Sequence, residues 1–494
     1  MSLLLGIDIG SSGTKAVLLD PGGGLVATAQ RSTPLHAPGP AYAEADPADW
    51  WRATCSLVPE LLQAAGATAG DVAAVAVAGL VPAVICCDDA GRPLRHAILY
   101  NDARAVTEIA ELQAELRGVD LVRRTGSPLT QQSVGPTLRW LARHEPHTWA
   151  ATRSLAGSYE WLARALGAPP HVESNWALES GLYELDGTPA LDLAVAAGCP
   201  PAWLPVPVAP GTVLGDVSTA AAAATGLAAG TPIVAGGADH VFAAYGAGLA
   251  EPGDWLIKLG SSGDILAVAD VPVLDERLYL DAHPVPGLWL PNGCMATSGS
   301  LLRWLQNIVG GTDLAELDAA ADAAGPGANG LVCLPWFLGE KSPLHDPELR
   351  GGFLGLHLGH GPGHLHRSCL EAVAFGFRHH VEVFGELGLG LGTARVTNGG
   401  SRSTLWKQII SDVVGVPLTP VLDHPGAGLG AAIAAGVGIG AVPGWEAIRD
   451  HVRLGEPIVP RGDGEEYTEG YARYRALAVE LRPTLHALAA RSRQ

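Results

Sequence analysis

A chain of 494 residues is too long for one hydrophobic core, so two or more domains are expected. Apolar residues make up 48% and charged residues 16%, a balance that excludes an intrinsically disordered chain. The formal net charge of −19 argues against a nucleic-acid partner or an anionic membrane surface, since both need clustered Lys and Arg.

The first half of the chain predicts a mixture of strands and helices. A β-hairpin is expected over the first twenty residues, followed by strands at 72–78 and 83–87 and by helices at 103–117 and 136–143. Another strand at 232–235 ends in two glycines, and a helix is expected over 238–246. This alternation predicts an α/β domain over 1–248.

The second half starts again with a hairpin at 255–269. Helices are expected at 300–308, 364–387 and 405–414, with a strand at 394–398, so that a second α/β domain covers 249–494. A last helix is predicted at about 466–490, and packing back on the first domain is one option for it. An uncharged Gly/Ala-rich run at 426–445 is long enough for a membrane span, but we interpret it as a buried, closely packed helix because bulky lipid-facing residues are sparse.

The seven scattered cysteines and the absence of a basic N-terminal region with a cleavage site predict a cytoplasmic protein with reduced thiols.

One short turn occurs twice. Gly-Ser-Ser-Gly follows an apolar run at residues 10–13 and again at 260–263. Successive backbone N–H groups and small hydroxyls in such a turn favour phosphate oxygens, although an ordinary hairpin turn would be the better explanation of a single copy. Because each copy opens a domain, we expect the two turns to hold one polyphosphate between them.

Two charged residues flank the first turn. Asp8 precedes it and Lys15 follows it. A carboxylate beside phosphates is repelled unless a cation intervenes, so Asp8 suggests Mg²⁺ bound through water, whereas a turn-capping acid is the alternative. Lys15 would neutralise phosphate charge.

From Leu4 to about Val442 the chain resembles the FGGY family of carbohydrate kinases. The resemblance implies two ribonuclease-H-like domains, as in actin and the heat-shock ATPases, with a ligand cleft between them. One family signature is intact at 351–371, whereas the other is degraded in SVGPTLRWLARHEP, where Thr137 stands in place of an expected Lys. The residues that this resemblance assigns to ATP phosphates are Gly10, Ser11, Ser12, Gly13, Lys15, Gly260, Ser261 and Ser262, with ATP and Mg²⁺ as the implied cofactors.

Asp239 is the candidate catalytic residue. It follows Gly236-Gly237 in the first turn of a small-residue helix, where the helix dipole favours a carboxylate and the glycines would leave room for a ligand; a helix-capping acid is the alternative. The resemblance makes Asp239 the general base and, with Asp8, a metal-binding residue. It also places His240 at the substrate.

Two further segments of the second domain resemble the family's adenosine site. They are TSGSLLRWL at 297–305, which contains Gly299 and Arg303, and VTNGGSRSTLWKQIISD at 396–412, which contains Gly399, Gly400 and Ser401. A plain strand-to-helix turn is the alternative for the second segment. No Walker A motif is present, and a metal site formed by His357, His360, His364 and His366 is disfavoured because Gly and Pro interrupt that stretch.

The substrate segments are the least family-like. Tyr100, Asn101, Asp102 and Arg104 resemble the family's sugar-contacting segment, although Asp102 and Arg104 could equally bridge to each other, and Asn175 and Glu179 are further candidates. Leu80, Val81 and Pro82 stand where xylulokinases commonly have Gln-Met-His, and their side chains donate no hydrogen bonds.

We therefore predict an ATP-dependent kinase of a small ketose or polyol, with D-xylulose favoured over glycerol or erythritol. An actin- or heat-shock-type ATPase and an inactive sugar sensor are the rivals from other classes. A homodimer is expected by family analogy, with no nucleic-acid or membrane partner.

Overall fold

The computed structural model describes residues 2–39, 41–462 and 464–491, which fold around two large β-sheets of six and seven strands. The elements of the first half are β1 Leu3–Gly10, β2 Gly13–Asp20, β3 Gly24–Ser32, β4 Glu44–Ala45, α1 Pro47–Ala65, β5 Val72–Gly79, β6 Ile85–Cys87, β7 Ala97–Ile98, α2 Val106–Glu115, α3 Leu121–Thr125, α4 Val134–His144, α5 Pro146–Ala151, β8 Ser154–Ala156, α6 Ser158–Leu166, β9 Val172–Glu173, α7 Ser174–Ser180, α8 Leu191–Ala196, β10 Pro207–Val208, β11 Val213–Asp216, α9 Thr219–Thr225, β12 Pro232–Ala238 and α10 Asp239–Gly246.

The second half begins eight residues after α10. Its elements are β13 Trp255–Leu259, β14 Gly263–Ala267, β15 Tyr279–Ala282, β16 Trp289–Met295, α11 Gly299–Ile308, α12 Leu314–Ala324, β17 Val332–Leu334, β18 Gly352–Leu354, α13 Pro362–Glu386, β19 Ala394–Thr397, α14 Thr404–Val414, β20 Leu418–Leu422, α15 Ala427–Gly438, β21 Arg453–Leu454, α16 Glu465–Glu480 and α17 Arg482–Arg491. Short 3₁₀ helices lie at Ala69–Asp71, Pro201–Trp203, Pro326–Gly330, Gly399–Arg402 and Trp445–His451.

The two sheets share one topology. In the first, β3, β2 and β1 are antiparallel neighbours, and β5 and then β12 continue the sheet in parallel with β1. In the second, β16, β14 and β13 are antiparallel, and β19 and then β20 continue it in parallel. This repeat is the duplicated ribonuclease-H-like, actin-like fold that the sequence predicted, and both predicted hairpins are confirmed.

The Gly/Ala-rich segment forms the buried helix α15, but its place in the fold differs from the prediction. It belongs to the stretch 249–494 that we predicted as the second domain, whereas it packs in the first hydrophobic core against β1, β5 and α10. Glycines allow the backbones of β1 and α15 to approach closely, since a Cβ on Gly6 of β1 would lie 1.9 Å from the Gly428 carbonyl oxygen. Residues 427–448 thus return to the first core after the sheet of the second domain has been built. Among the described residues no helix has both the length and the apolarity needed to cross a bilayer.

The terminal helix packs on the second domain, so the option of packing on the first is wrong. Tyr467, Tyr471 and Tyr474 of α16 are buried in the second core beside Phe375 of α13. The three tyrosines lie on one face of the helix because their spacing is close to a helical turn. The predicted single helix is also divided, since α17 begins at Arg482.

Candidate active site

Loops from both sheets border two adjoining cavities. The smaller has a volume of about 380 Å³ and the larger of about 1350 Å³. Gly260, Ser261 and Asn398 line both, so the second Gly-Ser-Ser-Gly turn lies at their boundary. Small-molecule sites commonly have volumes of about 300–1,000 Å³, and we call the smaller cavity the inner cavity and the larger one the outer cavity.

The duplicated turns owe their glycines partly to packing. In the first turn, a Cβ on Gly13 would lie 2.4 Å from the Arg31 carbonyl oxygen of β3. In the second, a Cβ on Gly263 would lie 2.6 Å from the Met295 side chain of β16. The second glycine of each copy therefore lets a neighbouring strand approach. Ser11 of the first turn and Ser261 and Ser262 of the second border the inner cavity, whereas Lys15 borders the outer one.

The second turn is fixed by the start of α11. The Gly299 N–H donates to the Gly260 carbonyl at 2.8 Å, and the Ser298 N–H donates to the Ser261 carbonyl at 2.9 Å. A Cβ on Gly299 would lie 2.6 Å from the Gly260 oxygen, so only glycine allows this approach. Arg303 donates a hydrogen bond to the Ser261 hydroxyl. Gly299 and Arg303, which the sequence assigned to the nucleotide, both line the outer cavity.

The segment 398–403 forms another wall of the outer cavity. Gly399, Gly400 and Ser401 all line it, but the two glycines differ in their surroundings. A Cβ on Gly400 would lie 2.5 Å from the Trp406 ring and 2.7 Å from Leu259, so this glycine serves packing, whereas nothing lies within 4 Å of a Cβ on Gly399.

Asp318 and His366 also line the outer cavity, and the sequence did not indicate that they interact. Asp318 accepts hydrogen bonds from the Ser403 hydroxyl at 2.6 Å and lies 2.8 Å from His366 Nε2. Asp318 belongs to α12, for which the sequence offered no motif. Of the four histidines considered as a metal site, His366 makes this pair, while His357, His360 and His364 contact one another through their rings.

Asp239 is the first residue of α10 and lines the inner cavity together with Ser11, Ser261 and Ser262. Its carboxylate accepts the His240 N–H at 2.7 Å. The glycines before it do not leave room for a ligand, contrary to our expectation. A Cβ on Gly236 would lie 1.9 Å from the Val77 carbonyl oxygen of β5, and one on Gly237 would lie 2.5 Å from the Phe242 ring, so both serve to pack β12.

Asp8 is buried at the end of β1, with 6% of its surface exposed. Burial, and next the nearby Asp239 carboxylate, raise its pKa from 3.8 to about 7, although Lys15 and Lys258 act in the opposite direction. A buried carboxylate that is costly to ionise beside a second carboxylate fits a site for a hard divalent cation, which would favour the charged forms of both.

A pH-dependent stability difference follows from the Asp8 environment. In the absence of a divalent cation, the native state binds the Asp8 proton more tightly than the unfolded state, so its ionisation costs stability as the pH rises from about 4 to about 7. The difference between the native and unfolded pKa of Asp8 corresponds to about 4 kcal/mol in the free energy of unfolding. We therefore expect Asp8→Asn to unfold at a higher temperature than the wild type at pH 8 in chelator, and to lose that advantage at pH 4.

Thermal unfolding followed by circular dichroism at the two pH values measures this effect. The exposed Asp270, replaced by Asn, is the matched control and should leave the unfolding temperature unchanged at both. An Asp8→Asn variant with the same unfolding temperature as the wild type at pH 8 would contradict the raised pKa.

The second domain contributes charged residues to the inner cavity that the sequence analysis did not assign. Lys258 lies 3.3 Å from Asp264, and Asp281 lies 2.7 Å from His240 Nε2. Lys258 stands on the strand that enters the second turn, and its rarity was a usable signal, since the chain has only four lysines. Asp264 and Asp281 occupy strands β14 and β15, where no family motif singles them out.

Glu179, His240 and Asp281 form the group of described residues whose geometry could hold a metal ion. Burial alone would lower the pKa of His240, but the carboxylates of Asp281, Asp239 and Glu179 raise it well above its ordinary value. A protonated imidazole cannot ligate a metal. The arrangement therefore favours a hydrogen-bonded, charged His240 at the inner cavity over a metal centre formed by these three residues.

Only some of the predicted substrate residues line the inner cavity. Val81, Tyr100 and His240 line the inner cavity, whereas Leu80 and Pro82 are buried beside it and are not among its lining residues. Asn101 is exposed to solvent and outside the lining.

Asp102, Arg104 and Asn175 have structural roles. Asp102 and Arg104 form a buried ion pair at 2.7 Å, and Arg104 also pairs with Glu44, so of the two alternatives the mutual bridge is the one observed. Asn175 makes two hydrogen bonds to the backbone of Ala282, at 2.7 and 3.0 Å, and thereby ties α7 to β15. None of the three residues lines the inner cavity, and the contacts they make join elements of the fold, so we assign them a packing role instead of a contact with the substrate.

The comparisons with known proteins agree with this architecture. The N-terminal domain model of the FGGY family of carbohydrate kinases matches residues 3–246, and the C-terminal domain model matches residues 256–439. The chain belongs to the FGGY family and is a carbohydrate kinase.

Several members of this family are similar over nearly the whole chain. The xylulose kinase of Staphylococcus epidermidis is 26% identical over 481 residues, which cover 96% of each protein, and the gluconokinase of Bacillus subtilis is 25% identical over 91% of this chain and 90% of its own. The crystal structure of the xylulose kinase from Rhodospirillum rubrum is 42% identical, with a TM-score of 0.92, and the comparison covers 98% of this chain and 100% of that one. The glycerol kinase of Plasmodium falciparum, solved with ADP, shares the fold at 18% identity and a TM-score of 0.87.

Proposed function

We propose that this kinase transfers the terminal phosphoryl group of ATP to a hydroxyl of a small ketose or polyol, with D-xylulose as the favoured substrate. The observation that carries the proposal is that Asp239 and both Gly-Ser-Ser-Gly turns border one inner cavity. The outer cavity, which contains Lys15, Arg303, Gly399 and Ser401, would hold the rest of the nucleotide.

Positioning and charge neutralisation are the larger part of the chemistry. Phosphoryl transfer depends mainly on holding the acceptor in line with the phosphate and on stabilising negative charge, which is the role we assign to the turn N–H groups, Lys15 and Lys258. Asp239 would accept the proton of the attacking hydroxyl. Asp8 and Asp239 would hold Mg²⁺, which supplies further neutralisation of phosphate charge.

The favoured substrate follows from the relatives, and the inner cavity suggests a second candidate. Xylulose kinases are frequent among the similar proteins. The segment Leu80-Val81-Pro82, of which Val81 lines the cavity, replaces the Gln-Met-His common in xylulokinases, so a hydroxyl contacted by that segment in other kinases is either bound differently or missing in this substrate. A different polyol, such as glycerol or erythritol, is the second candidate on that ground.

A coupled assay of ADP release tests the proposal. With ATP and Mg²⁺, D-xylulose should stimulate turnover with a higher kcat/KM than other pentuloses, glycerol, erythritol or gluconate. Failure of every sugar and polyol to stimulate ADP release would contradict the proposal. ADP release without sugar would instead support an actin- or heat-shock-type ATPase.

The homodimer stays a prediction, which sedimentation velocity would test.

A further inference from the structure

Lys341 lines the inner cavity from the second domain. Resting on the proposed function, we propose that its ammonium group binds and orients the sugar by donating a hydrogen bond to a substrate oxygen other than the one phosphorylated. Lys341 would thus supply specificity from the domain opposite to Asp239.

The loop that carries Lys341 is held on both sides by buried hydrogen bonds. Glu340 accepts the Ala296 N–H at 2.8 Å and the Lys341 N–H at 2.9 Å. Ser342 accepts the Cys294 N–H at 2.6 Å and lies 3.0 Å from His380 Nε2. Glu340 is 6% exposed and Ser342 is fully buried, so the backbone on either side of Lys341 is fixed before a ligand arrives.

A substitution next to this loop would not be accommodated. A Cβ on Gly293 of β16 would lie 2.1 Å from the His380 ring, which is the same ring that contacts Ser342. The strand, the histidine and the loop therefore form one closely packed unit. A backbone that is fixed in this way loses little entropy when a ligand binds, which is the arrangement expected around a specificity-determining residue.

The ammonium group is available for a ligand. The other cations of the inner cavity are paired, Lys258 with Asp264 and His240 with Asp281, whereas no ion pair of Lys341 occurs among the described residues. The ring centre of Tyr100, which also lines the cavity, lies 6.0 Å from Nζ. A partly buried ammonium without a carboxylate partner gains most from an oxygen supplied by the substrate.

The position of Lys341 assigns it to the sugar and not to the nucleotide. It is absent from the lining of the outer cavity, which contains Lys15 and Lys407. Val81 of the first domain also lines the inner cavity and presents only a hydrocarbon side chain, which donates no hydrogen bond. Lys341 would supply, from the second domain, a hydrogen bond that Val81 cannot.

Steady-state kinetics of Lys341→Met test the proposal with D-xylulose, or with the best substrate of the ADP-release assay if that is another sugar. We expect the KM for the sugar to rise by about 10- to 100-fold, the size expected for loss of a charge-assisted hydrogen bond, with the KM for ATP unchanged. Lys341→Gln, which keeps a donor without the charge, should show a smaller rise and serves as the second variant if the first does not fold.

Monodeoxy analogues of the same substrate separate a direct contact from a structural role. For the analogue that lacks the contacted oxygen, wild type and Lys341→Met should have the same KM, whereas the other analogues should keep the full difference. Replacement of the exposed Arg117 by Met removes one positive charge elsewhere and should change neither constant.

Three outcomes would overturn the proposal: an unchanged sugar KM in both Lys341 variants, an equal rise of both KM values, or a penalty of the same size for every analogue. Each of these presupposes that the wild type phosphorylates a sugar. Failure of the wild type to do so would contradict the proposed function itself.

Discussion

Replacement of Asp239 by Asn should lower kcat for sugar phosphorylation by about 10²- to 10⁴-fold, the usual contribution of a general base. The amide is nearly the same size as the carboxylate, but it cannot accept the proton of the attacking hydroxyl. Binding of ATP should be largely retained, because we assign the phosphates to the two turns and to Lys15. Steady-state kinetics, together with calorimetric titration of a non-hydrolysable ATP analogue, would measure both effects.

The exposed Asp270 offers a matched control for this experiment. Asp270→Asn makes the same chemical change in the second domain at a site outside both cavities and should leave kcat unchanged. Near-normal turnover by Asp239→Asn would remove Asp239 from the catalytic role.

Gly6→Ala is expected to cause the largest loss of stability. The added Cβ would lie 1.9 Å from the Gly428 carbonyl oxygen and 2.7 Å from the Ala432 amide nitrogen. Both atoms belong to the backbone of α15 and cannot rotate away, so β1 and α15 would have to separate. Overpacking of a core costs typically 1–3 kcal/mol, and we expect about 3 kcal/mol or more here. Urea unfolding followed by tryptophan fluorescence would measure the change.

Gly352→Ala is the control for Gly6→Ala. Gly352 also lies in a strand, but no atom lies within 4 Å of a Cβ built on it, so its replacement should change the free energy of unfolding by less than about 0.5–1 kcal/mol. If Gly6→Ala proved as stable as the wild type, α15 would not pack against β1 in the way described.

The hairpins and the duplicated fold were predictable because their signals are local. Apolar runs on either side of a small turn specify a hairpin without knowledge of the rest of the chain, and both Gly-Ser-Ser-Gly turns were found in this way.

The placement of α15 was not predictable from its sequence. An all-apolar Gly/Ala helix can pack closely against any flat sheet, and only the tertiary structure shows that its partner is β1 and not the second sheet.

In the candidate site, too, residues that belong to local patterns were predictable from the sequence, whereas residues brought together by the fold were not. Asp8, Asp239 and the phosphate turns were identified because each belongs to a short pattern. Lys258, Asp281 and Lys341 come from strands and a loop that are far apart in the sequence, and their convergence on one cavity depends on how the two sheets face each other. For Asp102 and Arg104 the sequence left a substrate contact and a mutual bridge open, and the buried ion pair between them is visible only in the structure.

A crystal structure of the protein with a non-hydrolysable ATP analogue, Mg²⁺ and D-xylulose would show directly whether both turns hold one triphosphate beside Asp239. We expect backbone N–H groups of residues 10–13 and of residues 260–263 to contact the same triphosphate, and a sugar hydroxyl to lie within hydrogen-bond distance of Asp239. A triphosphate bound by only one of the two turns, or a sugar bound away from Asp239, would contradict it.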